Sequence, residues 1–216
     1  MGKVRAQISV SLDGYAAGPE QSEQDPLGKG GMALHEWVFK LAAFQEAHGR
    51  GGGEGDENPS NLVVRATAEG IGAVVMGRNM FGPVRGPWGA EDWRGWWGEE
   101  PPFHVPVFVL THHLRGPLEM EGGTVFHFVN DGIEDAVARA KEAAGDADVS
   151  IGGGASTLQQ AIAAGLLEEI AVHQVPVLLG GGERLFEHLG AGAAEVELTQ
   201  VVEGPEALHL TYRFSS

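Results

Sequence analysis

The sequence predicts a three-layer α/β/α domain with a mixed, mostly parallel sheet and a C-terminal antiparallel hairpin. Three observations lead there. Short apolar runs of strand character alternate with stretches of helical apolar period along most of the chain. Glycines stand where strands hand over to helices, at Gly77 and at Gly152, Gly153 and Gly154. The C-terminal end instead carries two period-two runs joined by Glu203-Gly-Pro-Glu206, which is hairpin chemistry.

Val4, Ala6, Ile8, Val10 and Leu12 alternate with polar residues and predict a half-buried first strand, ended by Asp13-Gly14. A Gly/Pro/acidic loop spans 18–31. Leu34, Trp37, Val38, Leu41 and Phe44 recur at helical spacing, so 32–48 reads as one amphipathic helix. Residues 49–60 are low-complexity, with almost nothing to bury, and read as a flexible surface loop within one domain over 1–216. A helix over 61–70 and a buried strand over 71–77 follow. Residues 82–104 hold four of the five tryptophans among Pro and Gly and read as irregular with short helical turns.

Strands are expected over 105–110 and 124–129. Asp131-Gly-Ile-Glu134 resembles a capping box opening a helix through Ala144. A short strand over 148–151 runs into the glycine turn and a helix closed by Gly165. Residues 167–179 read as a long strand, with Pro176 demanding an edge position or a bulge. A short helix with Leu185, Phe186 and Leu189 precedes the hairpin, whose last strand alternates Leu208, Leu210, Tyr212 and Phe214.

Fourteen Lys and Arg against thirty Asp and Glu leave a formal charge of −16. Such a surface repels phosphate backbones and anionic headgroups, which argues against nucleic-acid or membrane partners. The absence of cysteine excludes disulfides, thiolate catalysis and cysteine-ligated metals. No signal-peptide pattern opens the sequence, and no apolar run approaches the ~18 residues of a membrane span, so a cytoplasmic protein is expected. No metal site is expected either. The residue four after His35 is Phe39, so H-E-x-x-H is absent, and adjacent His112 and His113 would face opposite sides of a strand.

The candidate chemistry lies at strand ends. Ile151-Gly-Gly-Gly-Ala-Ser-Thr157 is either a tight strand–helix turn or a pyrophosphate cradle at a helix N-terminus. Ser156 there reads first as a cap. Arg78 offers a planar fork for a phosphate, or a surface ion pair. Thr111 and His112 end a third strand and are either phosphate-facing or simple loop polarity. Ligands of open α/β sheets bind at such strand C-termini, so the three segments weigh more together. Asp13 is either turn chemistry or a hydrogen-bonding partner for substrate. Trp37 is either core or a ligand platform, and Gln174 either lines a pocket or makes a buried hydrogen bond.

Five segments occur in order: Ser11-Leu-Asp-Gly-Tyr-Ala-Ala-Gly-Pro19, Val74-Val-Met-Gly-Arg78, Val107-Phe-Val-Leu-Thr111, Ile151-Gly-Gly-Gly-Ala155 and His173-Gln-Val-Pro-Val-Leu-Leu-Gly-Gly-Gly-Glu-Arg-Leu-Phe186. On these the chain resembles the dihydrofolate-reductase-like superfamily. Within it, the chain looks most like the reductase (C-terminal) domain of the bacterial riboflavin-biosynthesis deaminase/reductase. Residues 18–70 and 82–104 are poorly covered.

The resemblance implies NADPH-dependent hydride transfer to a C=N or C=O of a pyrimidine- or pterin-like substrate, 5-amino-6-(5-phosphoribosylamino)uracil among them, by a homodimer. It implies cofactor contacts from Gly77, Arg78, Thr111, His112, Gly152, Gly153, Gly154, Ala155 and Ser156. It nominates Asp13 to orient substrate or relay a proton; Trp37 and Gln174 remain substrate-side candidates on their residue chemistry alone. Riboflavin-pathway reductases usually carry Lys or Arg after Ser-Leu-Asp-Gly, where this chain has Tyr15. The alternative is a non-catalytic nucleotide-binding or sensor homodimer on the same fold.

Overall fold

The computed structural model describes residues 2–49, 55–82, 86–88, 93–190 and 194–215. Residues 50–54 of the 49–60 loop lie outside the described residues, as do 83–85 and 89–92 of the tryptophan-rich segment.

The elements are β1 (Val4–Ser11), β2 (Tyr15–Ala17), α1 (Glu36–Phe39), α2 (Ala42–Ala47), α3 (Pro59–Ala68), β3 (Ile71–Gly77), α4 (Arg78–Phe81), β4 (Pro106–Leu110), β5 (Leu118–Glu119), β6 (Val125–Val129), α5 (Ile133–Ala144), β7 (Asp148–Gly153), α6 (Ala155–Ala163), β8 (Glu169–Val175), β9 (Glu183–Arg184), β10 (Val196–Glu203) and β11 (Leu208–Phe214). Among the described residues they build a nine-stranded sheet in the order β10-β11-β8-β1-β7-β3-β4-β6-β5. The six central strands, β8 to β6, are mutually parallel; β11 and β5 run antiparallel to them, and β10 runs antiparallel to β11. β2 and β9 form a separate two-stranded ribbon. The predicted mixed sheet with its terminal hairpin is therefore present.

Each sheet face buries a different core. α5 and α6 cover one face through Ile133, Ala136, Val137, Leu158, Ala161 and Ile162, packed on Val4, Val75, Val149 and Ile151. On the other face, β3, β4 and β6 carry an aromatic cluster. Phe126 is fully buried there, against Phe81 at 4.9 Å and Trp97 at 6.0 Å between ring centroids. Truncating it would leave a cavity that the surrounding strands cannot close. Phe126→Ala is expected to cost about 3–5 kcal/mol, read as a lowered urea midpoint at unchanged slope. The third cluster joins Leu34, Trp37 and Leu41 to Val175 and Ala207 beside α3.

Several expected elements differ. The helix over 32–48 is broken into a 3₁₀ turn (Gly31–Leu34), α1 and α2. Leu41 is extended at ψ 140°, because Lys40 C=O accepts from Asp56 N–H at 2.8 Å and Ala42 N–H donates to Asp56 C=O at 3.2 Å. α3 begins at Pro59, two residues before the expected helix, with Asn58 capping the Asn61 N–H. Asp131 caps nothing: Gly132 is the N-cap of α5 and Asp131 pairs with Arg139 at 3.4 Å. β8 stops at Val175, so Pro176 lies just past a strand paired on both sides. Proline's missing N–H ends the ladder there instead of forcing an edge. The short helix expected around 185–189 is replaced by β9 and turns.

Candidate functional site

The parallel strands present their C-terminal ends along one edge. In register, Gly77 of β3 lies beside Leu110 of β4, and Met76 beside Gly153 of β7. This brings Gly77-Arg78, Thr111-His112 and the Gly152–Ala155 turn together, although they are scattered along the sequence. The fit between β3 and α6 is close. A Cβ on Gly77 would stand 2.5 Å from Thr157 Oγ1 and 3.6 Å from the Gly153 carbonyl. By contrast, a Cβ on Gly153 or Gly154 would meet nothing within 4 Å, so this backbone is open to a ligand. Gly153 has φ 112°, a region that favours glycine, and the Gly153–Gly154 peptide is cis. Gly154 is the N-cap of α6 and makes no side-chain cap bond, so Ser156 is not the cap; its hydroxyl lies 3.4 Å from Gln160 Nε2. In the first turn of α6 the Thr157 N–H already donates to Gly154 C=O at 3.0 Å, so the donors that the helix leaves to the open backbone are those of Ala155 and Ser156.

Arg78 opens α4, and its guanidinium lies 3.4 Å from the Trp88 ring centroid. Arg115 approaches the same ring at 5.0 Å. Trp88 is held by its own N–H, which donates to His113 C=O at 2.6 Å. Among the described residues, the Arg78 Nε and one terminal nitrogen are buried without an acceptor. Burial first, and then the neighbouring Arg115 charge, push the Arg78 guanidinium down to about 10. Two cations share one indole here, and among the described residues one of them has two nitrogens without an acceptor. An anion is the chemical complement of that arrangement.

The Thr111 hydroxyl is 3.1 Å from His113 N–H and 3.2 Å from its carbonyl, so it closes a local turn, while His112 is exposed at the strand end. Trp37 is only 4% exposed, and its N–H donates to Ser9 Oγ at 3.1 Å and Leu34 C=O at 3.0 Å. That corrects the platform alternative, because too little of the ring is accessible for a substrate to stack on. Gln174 lines a cavity of about 300 Å³ bounded by Leu12, Pro176, Glu203 and Glu206. That cavity shares no lining residue with the glycine edge, so the structure does not bring Gln174 to it.

Asp13 anchors the turn after β1. Its carboxylate accepts from Gly180 N–H at 2.7 Å and Leu179 N–H at 3.1 Å. The Ser11 hydroxyl, with these two N–H groups, holds it down to about 2. A carboxylate so held is a weak proton donor near neutrality, so its placement suits orientation better than a relay. The folded value lies below the ordinary one, so the stabilisation is complete above about pH 4 and is lost as pH falls towards 2. Asp13→Asn is expected to flatten that acid limb. Urea midpoints of both proteins between pH 5 and 2 measure it, and parallel curves would count against the anchor.

The sequence reading missed Trp88, Arg115 and Arg184. Arg184 of β9 lies 4.3 Å over the Tyr15 ring and donates to Asp13 C=O at 2.9 Å and Tyr15 Oη at 3.0 Å. The structure thus supplies a guanidinium beside the position where the sequence lacks a cation. The strand pairing of Tyr15 with Arg184 creates that proximity, and no local signal announces it.

A family model described as the RibD C-terminal domain matches residues 2–210. No curated protein matches the chain. Among solved structures it is similar to a putative riboflavin biosynthesis protein from Shewanella sp. PV-4, with TM-score 0.62, 22% identity and 99% of each chain covered. It is also similar to dihydrofolate reductase from Enterococcus faecalis complexed with NADP(H), with TM-score 0.54 and 15% identity over 100% of this chain and 98% of that one. A deaminase/5-amino-6-(5-phosphoribosylamino)uracil reductase from Thermotoga maritima matches with TM-score 0.59 and 13% identity, over 99% of this chain and 57% of that one. These likenesses show a dihydrofolate-reductase-like fold.

Proposed function

We propose, from the premise that this chain belongs to the RibD C-terminal domain family, that it is an NADPH-dependent reductase of a small pyrimidine- or pterin-like substrate. The first compound to test is 5-amino-6-(5-phosphoribosylamino)uracil. One observation carries the cofactor assignment: Arg78, with two buried nitrogens lacking an acceptor, stands at the strand edge that also presents the open Gly153–Gly154 backbone. These residues fit a phosphorylated dinucleotide. Arg78 would hold a phosphate through charge-assisted hydrogen bonds, aided by the Arg115 charge, and the glycine turn with the first N–H groups of α6 would hold the pyrophosphate. His112 at the end of β4 stands within the same edge.

NADPH bound there supplies a hydride to the electrophilic carbon. The protein's share is orientation. The interlock of Gly77 with α6 fixes the turn, and Asp13 ties β1 to the 179–180 backbone on the substrate side. No helix among the described residues is long and apolar enough to cross a membrane. In this reading the enzyme acts in the cytoplasm as a homodimer, which size-exclusion chromatography with light scattering checks.

Thermal-shift titration with NADPH and NADH, followed by turnover assays on the aminopyrimidine and on dihydrofolate, tests the proposal. Ligand at 100 times its Kd adds ~2.7 kcal/mol and should raise the midpoint by several degrees. A shift with neither nicotinamide would overturn the cofactor assignment. A shift without turnover of either substrate would redirect the search to other C=N and C=O compounds.

A further inference from the structure

Behind Trp37 lies a polar chain that the proposed reaction does not use. It joins α3, β11, β8 and β1. Ser60 Oγ is 2.8 Å from His209 Nε2, His209 Nδ1 is 2.9 Å from His173 Nδ1, and His173 Nε2 is 3.3 Å from Gln7 Oε1. Ser60, His173 and His209 are all at most 3% exposed. The Trp37 ring flanks both imidazoles at 5.0 Å. His209 and His173 are cross-strand partners, so their side chains share a face.

The acceptors dictate the tautomers. Gln7 Oε1, which also accepts from Thr67 Oγ1 at 2.9 Å, can only accept, so His173 carries its proton on Nε2. His173 Nδ1 is then a lone pair and accepts from His209 Nδ1–H. His209 Nε2 in turn accepts the Ser60 hydroxyl proton. All four ring nitrogens are satisfied with both rings neutral, and the hydrogen bonds run in one direction. A proton on His173 Nδ1 would set two N–H groups head to head across 2.9 Å. The entry that avoids this clash is His209 Nε2, and it requires the Ser60 hydroxyl to turn from donor to acceptor.

That end of the chain is crowded by the hairpin turn. A Cβ on Gly204 would overlap Ser60 Oγ and stand 3.0 Å from His209 Nε2. Gly204 N–H donates to Ala207 C=O at 3.0 Å, which closes the turn over both groups. We propose that Ser60, His209, His173 and Gln7 form an acid-sensitive clasp that holds the β10–β11 turn against α3 while both imidazoles are neutral and releases it when a proton enters at His209.

The electrostatic surroundings agree. Burial, the His209 charge and then the His35 charge hold His173 down to about 3, and burial alone lowers His209. Among the described residues, no carboxylate acts on either ring to favour a proton. Of the charged groups on the packed elements, Glu206 of the turn is committed to Lys40 of the α1 end at 2.8 Å. Arg65 of α3 is committed to Glu46 at 2.7 Å, and Arg5 of β1 to Asp148 at 3.0 Å. Because the folded values lie below the unfolded one, the clasp is fully closed above about pH 6.5 and weakens as pH falls.

The test follows wild-type imidazole ¹⁵N signals and amide hydrogen exchange from pH 8 to 4. At pH 8 we expect His209 as the Nδ1–H and His173 as the Nε2–H tautomer. Below pH 6.5, protection factors at 208–211 should fall up to tenfold per pH unit, while those of β3 and β4 hold. His209→Gln should remove most of that pH dependence. The proposal is overturned if both wild-type imidazoles titrate near pH 6.5 with the hairpin amides unchanged. It is also overturned if β3 and β4 lose protection in parallel with the hairpin, or if His209→Gln keeps the wild-type slope. The wild-type arm decides the matter even where the variant does not fold.

Discussion

Replacing Arg78 by Gln is expected to weaken NADPH far more than NADH. The arginine lies stacked on Trp88 with two nitrogens buried and unmet, beside a second guanidinium that raises the cost of keeping it charged. An anion that meets those donors gains hydrogen bonds to a charged group, worth about 1.5–3 kcal/mol, or roughly 10- to 150-fold in Kd. NADH lacks the 2′-phosphate and should lose several-fold at most if Arg78 reads that group. Titration calorimetry on wild type and variant, with both nucleotides, separates the cases. Equal losses would move Arg78 to the pyrophosphate, and no loss with either would remove it from the site. Removing a cation that repels Arg115 also predicts that the variant's own stability is unchanged or improved, so a folding defect should not mask the result.

The second large effect is expected at Gly77. Its missing Cβ is where Thr157 Oγ1 sits, and both the β3 end and the α6 start are fixed by the sheet. Gly77→Ala forces a backbone shift of the overpacking kind, at about 1–3 kcal/mol, and tilts the glycine turn off the strand edge. Nucleotide affinity should fall together with the urea midpoint. Adding Thr157→Ala removes the obstructing oxygen, so the double variant should recover part of both losses. A coupling of 0.5–3 kcal/mol is the usual range for residues in contact. Strict additivity across the cycle would show that the interlock is not what positions the turn.

Which parts of this structure were legible beforehand follows from how local each signal is. The strands announced themselves: Val4, Ala6 and Val10 alternate with polar neighbours, and Ile71 to Gly77 is a compact apolar run ending in glycine. The gathering of Gly77, Thr111 and Gly153 on one edge was legible because parallel strands put their C-terminal ends side by side. The break at Leu41 was not, because its cause is hydrogen bonding to Asp56, outside any helical window. The burial of Trp37 was legible as its core reading, but its covering partners His173 and His209, far along the chain, were not. Arg115 and Arg184 escaped notice for the same reason. Each becomes informative only once an aromatic ring, Trp88 or Tyr15, is placed beneath it.

The sheet order carries a consequence for how the molecule is made. β1 has no partner near it in sequence: it pairs with β7 through Val4–Val149 and with β8 through Val10–Gln174. During synthesis β1 must therefore wait, unpaired, until β7 and β8 have followed it. Asp13 then waits with it for the Leu179 and Gly180 amides. Such high contact order slows folding, because loop entropy is spent before the contacts return it. We expect refolding to be slow relative to helical bundles of this size. Chains stopped short of residue 175 should expose β1 as a sticky edge and be captured by chaperones or aggregate.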